Sequence, residues 1–600
     1  ITFHRRKNRE ERAEAKKRGY VKEKTFINVS ADVCESCLEC TMATGCPGLS
    51  FTETDFGRKI QTDLSWCVGD MACTKIHACP SFEEITIYRS QKPPSRLPNI
   101  ADGELPEPVI PDFDHQWHVY RAGVGGMGIA SATATLVRAA HREGYETLFC
   151  DKNGLAIRNG GVYSQVTFLR PGCNHTSSVI PYGKADLILG IDPLEAARSL
   201  DPKGNQRIGS VAHTAAVINT AKTPTIFGLL GKDDYCVETL ETSIRRHTRG
   251  DDYFSCDISD HSQRIFGTKI YANVMMLGVA FQRGLLPLSL ASIEWGIRET
   301  VGSAAADNYL AFKVGRKLVI DAERSGGATV TAAALTPEQT VEAKAGMLLR
   351  AEGRPASEAY RQLVRRGFDA IELDAKNRTR LATRLADLIL FEDAAFASDY
   401  LDRLLAIHTR DKASFGFAAT HAALWNLHRA MVIKDEVFVA ALLSGEEKKQ
   451  RDIERYNVHP ELGDRVVYGH LNRPEFILFG KKIRFHLTSR QWMLRLMRRG
   501  KFLRRLLPAW HAEEKAFRAW FLDLASKFDA ADEASYRRWL AVLRLPEQAT
   551  GYREVRYPKL REARRRAEAI LAGREDAALS GAKPAASASP GSSAPAAKKN

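Results

Sequence analysis

The fold of the N-terminal part is decided by two segments of equal length, CESCLECTMATGCP at residues 34–47 and CVGDMACTKIHACP at residues 67–80. Both follow one pattern, C-x2-[C/D]-x2-C-x5-C-P, and Asp70 in the second copy stands where the first copy has Cys37. Together they contain seven of the eleven cysteines in the 600-residue chain. Disulfide frameworks are typical of small secreted domains, so this density in a long chain indicates metal binding.

The spacing of these cysteines favours iron–sulfur clusters over zinc. Bacterial two-cluster ferredoxins carry the run C-x2-C-x2-C-x3-C-P, in which the fourth cysteine binds the other cluster. Structural zinc, the alternative, uses paired C-x2-C knuckles and four ligands. The repeat therefore predicts two clusters that exchange their fourth ligands. Cluster one is assigned to Cys34, Cys37, Cys40 and Cys79, and cluster two to Cys46, Cys67, Asp70 and Cys73.

The second cluster depends on Asp70, because a carboxylate is a harder ligand than a thiolate. If the iron at Asp70 is kept, both clusters are [4Fe–4S]; if it is lost, the second is [3Fe–4S]. His77 or water are alternative ligands for that iron, and a solvated loop position is the alternative for Asp70. Two clusters in one domain predict a relay that carries electrons one at a time.

A second motif follows a proline-rich linker. A predicted strand at residues 117–120 is followed by Gly123, Gly125, Gly126 and Gly128, a predicted helix at 129–143, and a strand at 147–150 that ends at Asp151. This order resembles the fingerprint of dinucleotide-binding domains. The alternative is a plain βαβ unit in which glycine allows helix and strand to pack closely.

A second glycine-rich segment contains Gly154, Asn159, Gly160 and Gly161. It indicates a loop that is mobile or closely approached by a partner. More strands are predicted at residues 162–169, 185–191 and 225–227. The alternation of strands and helices predicts an α/β domain with a mostly parallel sheet.

The last third of the chain is predicted to be helical. Leu381, Leu385 and Leu388 fall at i, i+4 and i+7, and amphipathic runs continue to about residue 572. The basic stretch 481–505 is predicted to be a solvated helix face or a docking surface for an acidic ferredoxin. Residues 574–600 are rich in Ala, Ser, Pro and Gly and are expected to be disordered.

Taken together, these motifs resemble indolepyruvate:ferredoxin oxidoreductase, within the thiamine-dependent 2-oxoacid:ferredoxin oxidoreductases. The resemblance extends over most of the chain and includes FGRK at 56–59, CPSF at 79–82, QRGLLP at 282–287, Gly315-Arg316 and LPEQ at 545–548. It implies an α/β plus α architecture: a two-cluster ferredoxin-like domain, a central gamma-type α/β domain and a mostly helical C-terminal domain. The implied boundaries are a basic helical lead-in at 1–27, then 28–92, a linker at 93–112, 113–335, 336–573 and a tail at 574–600.

The resemblance also implies a reaction and partners. It implies oxidative decarboxylation of an arylpyruvate, with CoA as substrate, and electrons passing through both clusters to external ferredoxin. The two glycine-rich segments would form an interface loop that faces the catalytic subunit. The sequence shows no G-D-G followed by N-N, the signature of thiamine binding. Thiamine diphosphate and Mg²⁺ are therefore expected on a partner chain, in a dimer of heteromers, with a missing part of the same protein as the alternative.

Composition bounds the other functions. The net charge of +15 comes largely from two basic stretches, and neither makes nucleic-acid binding the favoured function. No apolar run reaches 18 residues, so no membrane span is predicted. The basic N-terminus lacks the apolar core of a secretory signal, and a cytoplasmic location is expected. Two alternatives remain: an iron–sulfur adaptor that binds a dinucleotide at 123–128, and a basic iron–sulfur protein that binds nucleic acid.

Overall fold

A computed structural model describes residue 13 and residues 20–75, 79–94, 97–152, 160–173, 177–200, 207–232, 234–324, 335–472, 475–478, 481–484, 487–529 and 531–574. We divide these residues into the cysteine region (20–92), the α/β region (113–324) and the helical region (335–574). None of the helices within these residues is long and apolar enough to cross a membrane.

The cysteine region consists of two similar halves, each with a strand, a cysteine segment, a short helix or turn, and a second strand. Its elements are β1 (Glu23–Val29), α1 (Glu39–Thr44), β2 (Leu49–Thr54), β3 (Gly57–Thr62), a 3-10 turn (Ala72–Thr74) and β4 (Phe82–Tyr88). β1 pairs with β4 antiparallel and β2 with β3 as a hairpin. The strand at Glu23–Val29 replaces the end of the predicted helical lead-in; most of residues 1–19 lie outside the described residues.

The α/β region contains a sheet in the order β10-β9-β8-β5-β7-β6. Its strands are β5 (Gln116–Val124), β6 (Glu146–Lys152), β7 (Gly161–Leu169), β8 (Leu187–Gly190), β9 (Ala215–Asn219) and β10 (Tyr253–Cys256). Its helices are α2 (Ile129–Arg142), α3 (Pro193–Arg198), α4 (Ile226–Leu229), α5 (Val237–Arg246), α6 (Ile258–Phe266), α7 (Ala272–Gln282), α8 (Leu290–Val301) and α9 (Ala305–Arg324).

Three of the five strand pairs in this sheet are parallel, in line with the predicted mostly parallel sheet, and the sheet is mixed because of β7. The four strands β10, β9, β8 and β5 are parallel, but β7 runs antiparallel between β5 and β6. The connection from Lys152 to Gly161 is too short for the crossover that parallel strands need. The prediction of a strand at 225–227 is wrong, because a short helix begins there. Thr225 caps helix α4 by accepting from the Gly228 N–H, and the fully buried strand is β9.

The helical region contains α10 (Pro337–Glu352), α11 (Arg354–Ala370), α12 (Ala375–Phe391), α13 (Ala394–His408), α14 (Ala418–Met431), α15 (Glu436–Leu443), α16 (Glu446–Arg455), α17 (Gln491–Met497), α18 (Leu503–Leu506), α19 (Ala512–Ser526), α20 (Glu533–Arg544) and α21 (Arg556–Leu571). Its strands, which were not predicted, are β11 (Arg465–Asn472), β12 (Glu475–Leu478), β13 (Lys481–Arg484) and β14 (Leu487–Ser489). β11 pairs antiparallel with β4, so the helical region extends the sheet of the cysteine region.

Each region has its own core, and buried ion pairs join them. The helical core includes Leu381, Leu385 and Leu388, as their spacing predicted. On β4, Glu83 is fully buried, and its carboxylate lies 2.8 Å from the Asn28 amide and 2.7 Å from Lys448 Nζ of helix α16. The predicted linker is also packed: Leu105 is buried, and its carbonyl accepts from the Arg316 guanidinium of α9.

Candidate iron–sulfur sites and glycine-rich loop

The two cysteine segments share an unusual backbone conformation. Ser36 and Leu38, which flank Cys37, have φ of 57° and 64°. Gly69 and Met71 flank Asp70 in the second copy and have φ of 68° and 59°. Left-handed backbone at a non-glycine residue is costly and persists where the surrounding structure or function requires it. The repeat in the sequence is therefore a repeat in backbone shape, with the middle ligand position in the same place.

The first set of predicted ligands comes together in one place. Cys34 and Cys37 lie in the loop after β1, Cys40 is in helix α1, and Cys79 directly precedes β4. Burial raises the pKa of Cys40 well above its usual range, and Cys79, Cys34 and Cys37, together with Cys73 of the second set, raise it further. Burial raises the pKa of Cys79 to about 12, with Cys34 and Cys37 again as neighbours.

The second set brings Cys46 of the first half together with Cys67, Asp70 and Cys73 of the second half. Burial raises the pKa of Cys73 to about 12, and the neighbouring groups that raise it further are Cys46, Cys67 and Asp70. The pKa of Cys67 is raised by burial and by Cys46, Asp70 and Asp63. Thiols in this setting hold their protons at neutral pH, so metal binding to them must release protons.

The donors around Cys34 fit a thiolate ligand. Its buried Sγ accepts the backbone N–H of Ser36 at 3.4 Å and that of Ile60, on strand β3, at 3.5 Å. Such hydrogen bonds to ligand sulfurs are one means by which proteins tune clusters. In the described residues no three His, Cys, Asp or Glu side chains converge on a single metal ion. A cubane makes a different demand, because each of its thiolates binds a separate iron.

The position of Asp70 leaves both interpretations of this residue open. It lies beside Cys67 and Cys73 in the second set, but its Oδ1 also accepts the Ala72 N–H at 3.1 Å. If Asp70 makes only this hydrogen bond and binds no iron, its role is to stabilise the 3-10 turn. His77, the alternative ligand, lies outside the described residues.

The first set is covered by the helical region. Glu35 is buried next to Cys34, and its carboxylate oxygens lie 2.8 Å from Lys434 Nζ and 3.5 Å from Arg556 Nη1. Burial opposes charge on Glu35, yet Lys434, Lys59 and Arg556 hold its pKa well below the usual range. The Tyr552 hydroxyl donates to the Val33 carbonyl at 2.6 Å. Lys434, Tyr552 and Arg556 could not be predicted as neighbours from the sequence, because hundreds of residues separate them from Cys34.

The second set faces the α/β region on one side. Asp63, four residues before Cys67, accepts from Lys269 Nζ at 2.6 Å. Val68, directly after Cys67, is 45% exposed, and Met42 on helix α1 is 40% exposed. Cys34 is buried, but the remaining cysteines of both sets are half-buried, so the two sets differ in their neighbours more than in their exposure.

The first glycine-rich segment has structural roles throughout. Gly123 is on β5, where an added Cβ would lie 2.8 Å from Ile129. The Gly125 N–H donates to the Gly160 carbonyl at 2.8 Å, and Gly126 and Gly128 have φ of 96° and 76° in the turn before α2. The plain βαβ interpretation of these glycines is thus sufficient.

The sheet order argues against a dinucleotide site. In such domains the strand that ends in the acid lies beside the first strand and parallel to it. Here β7 separates β6 from β5, so Asp151 lies roughly 10 Å from the first strand, across two strand spacings. Arg121, fully buried on β5, donates to the Ile129 carbonyl and to Asn273 Oδ1, which anchors helix α2 from below.

In the second glycine-rich segment, Gly154 and Asn159 lie outside the described residues. Gly161 begins β7, and a Cβ there would overlap the carboxylate of Glu195, with 2.4 Å to Oε2. The predicted contact of this loop with a catalytic subunit stays a prediction.

Two family models match the chain. Residues 118–318 match the family "Pyruvate ferredoxin/flavodoxin oxidoreductase", and residues 378–569 match a family of unknown function (DUF6537). The first match coincides with the α/β region and the second with most of the helical region.

Curated relatives point to the same family. Indolepyruvate oxidoreductase subunit IorB of Methanothermobacter thermautotrophicus is 28% identical over 33% of this chain and 95% of that protein. The IorB of Thermococcus kodakarensis is 29% identical over 34% of this chain and 95% of that protein. Among solved structures, the match to pyruvate oxidoreductase subunit PORC of Thermotoga maritima covers 34% of this chain and 97% of the PORC chain, with 17% identity and a TM-score of 0.25. Through residues 118–318 the chain is similar to pyruvate ferredoxin/flavodoxin oxidoreductases and to IorB.

Proposed function

We propose that this chain is the electron-transfer and gamma-type subunit of an indolepyruvate (arylpyruvate):ferredoxin oxidoreductase. The reaction would convert a 2-oxoacid, CoA and two oxidised ferredoxins to acyl-CoA, CO₂, a proton and two reduced ferredoxins. Thiamine diphosphate and Mg²⁺ would be bound by a catalytic partner subunit. The similarity of the α/β region to IorB, a subunit of an indolepyruvate oxidoreductase, supports this assignment.

The observation that carries the electron-transfer role is the division of the repeat into two ligand sets. Cys34, Cys37, Cys40 and Cys79 would hold one [4Fe–4S] cluster, and Cys46, Cys67, Asp70 and Cys73 the other, as [4Fe–4S] or [3Fe–4S]. Bound clusters would accept and pass on single electrons. The chain's own contribution is to give the two sets different neighbours: the helical region packs against the first set and the α/β region against the second.

This division suggests where a partner exchanges electrons. The exposed Val68 directly follows Cys67 of the second set, so a partner protein could approach the second set on this side. We place the contact for external ferredoxin or the catalytic subunit on this side.

Co-expression with a thiamine-binding partner subunit tests the proposed function. The purified complex should reduce ferredoxin in the presence of indolepyruvate and CoA. Cys40→Ser should abolish ferredoxin reduction, whereas Cys236→Ser, at an exposed cysteine outside both segments, should leave it unchanged. A complex that carries both clusters but reduces NAD(P) and not ferredoxin would favour the adaptor alternative.

A further inference from the structure

A large cavity lies between the cysteine region and the helical region. Its volume is about 910 Å³, near the upper end of the 300–1,000 Å³ that is usual for small-molecule sites. The cysteine region contributes Asp32, Glu35, Phe56 and Lys59 to its wall, and the helical region contributes the rest. None of the described cysteines lines it, so the cavity is separate from the two ligand sets.

The wall of this cavity has a strong excess of positive charge. Among the described lining residues, thirteen are Lys or Arg and six are Asp or Glu. Each acid already has a cation or histidine partner, in the pairs Asp32–Arg451, Glu35–Lys434, Glu352–Lys501, Asp387–His428, Glu446–Lys449 and Glu447–Lys344. Seven lining cations have no carboxylate within 4.0 Å among the described residues: Lys59, Arg350, Arg384, Arg429, Arg495, Arg498 and Arg499.

Several guanidinium donors in the wall have no hydrogen-bond partner. They are Nε and Nη2 of Arg429, Nε of Arg384 and Nε of Arg556, and all four atoms are shielded from bulk water. A buried donor without a partner costs stability, and native proteins keep few of them. Burial also lowers the pKa of Arg429 and of Lys59, the latter to about 8. Because these buried groups leave the positive charge of the wall uncompensated, an anion with several oxygens in the cavity would be stabilised by it.

We propose that this cavity binds an organic phosphate of nucleotide size, with Arg429 at its inner wall and Arg495, Arg498 and Arg499 at its rim. Guanidinium groups match the paired oxygens of phosphate, and seven unpaired cations call for more than one negative charge. Inorganic phosphate would leave most of 910 Å³ unfilled. CoA and a free nucleotide such as ADP share a diphosphate and are the two sources of this chemistry. The site itself does not depend on the proposed function; only the CoA source does.

Calorimetric titration of the full chain under anaerobic conditions tests this site, with ADP, CoA and inorganic pyrophosphate as probes. ADP, CoA or both should bind, and pyrophosphate should bind more weakly. Arg429→Met and Arg498→Ala should each weaken binding at least tenfold. The matched control Arg246→Ala, on helix α5 outside the cavity, should change it less than twofold.

The outcomes separate the sources. Equal binding of ADP and CoA supports recognition of the shared diphosphate, and binding of CoA alone identifies the substrate as the ligand. Absence of binding at millimolar ADP and CoA overturns the proposal, as does binding that both variants leave unchanged. If Arg429→Met does not fold, the rim variant Arg498→Ala decides. Should the variants weaken ferredoxin binding while no phosphate compound binds, the cavity is a protein docking site and the proposal fails. If a chain that contains no iron still binds ADP or CoA, the proposed phosphate site is supported and only the proposed electron-transfer function is contradicted.

Discussion

Glu35 Oε1 lies 2.8 Å from Lys434 Nζ, which joins the first cysteine segment to the helical region by a buried ion pair. Taken alone, the sequence suggests that a carboxylate between two cluster ligands opposes reduction of the cluster. The structure surrounds this carboxylate with Lys434, Lys59 and Arg556, so the local charge is positive. Since positive charge favours the addition of an electron, these cations should raise the reduction potential of cluster one.

Replacement of Lys434 by methionine should therefore lower the potential of cluster one. It should also destabilise the protein by about 3–5 kcal/mol, because Glu35 loses its nearest partner in a buried site. Potentiometric titration followed by EPR measures the first effect and denaturant unfolding the second. Lys434→Arg, which keeps the charge, should change the potential much less. An unchanged or raised potential in Lys434→Met would contradict this electrostatic account.

Gly48→Ala should disturb the second ligand set and spare the first. An added Cβ would lie 3.1 Å from Cys67 Cα and 3.5 Å from Cys46 Sγ, so these two ligands would be pushed apart. We expect a loss of iron from the second cluster and a destabilisation of about 1–3 kcal/mol. Iron analysis of the purified variant checks this against Gly250→Ala, where a Cβ meets nothing within 4 Å. Equal iron content in both variants would refute the prediction.

Gly315→Ala should destabilise the α/β region severely. Helices α7 and α9 approach so closely that a Cβ on Gly315 would overlap the Met275 carbonyl, and one on Gly278 the Phe312 carbonyl. Separating the helices would disrupt their packing, at a cost of about 3 kcal/mol or more. Thermal unfolding of this variant, compared with Gly250→Ala, measures the loss. A wild-type melting temperature would show that the helices can move apart freely.

The stability of the helical region should depend on pH through His511. Burial opposes its charge, but hydrogen bonds to Glu436 and Glu514 raise the pKa of His511 to about 9. A group whose pKa is raised on folding stabilises the folded protein. This stabilisation is complete below the unfolded pKa of about 6.5 and is lost as pH rises through the folded pKa of about 9. The free energy of unfolding should thus fall by about 2 kcal/mol between pH 6.5 and 9. His511→Gln should remove most of this dependence of the unfolding free energy on pH. If the dependence persists in the variant, it arises from another group and the prediction is contradicted.

The elements that sequence predicted well are those with local signals. The helix at 129–143 and the strand at 162–169 were placed within a residue or two, because glycine punctuation and apolar runs mark their ends. The direction of β7 and the addition of β11 to β4 depend on distant pairing, and no local pattern records such pairing. The repeat indicates both ligand sets because its spacing is local. Lys434, Arg429 and Arg556 lie near the first set only through the tertiary fold, so they could not be predicted.

The most direct test of the central claim is the iron and sulfide content of the anaerobically purified full chain, together with EPR, for wild type and Asp70→Cys. Two clusters predict about seven to eight irons in wild type and about eight in Asp70→Cys. If Asp70 fails to hold its iron, oxidised wild type should show a three-iron signal that the cysteine variant loses. Four irons or fewer in both proteins would contradict the second cluster and the electron relay that depends on it.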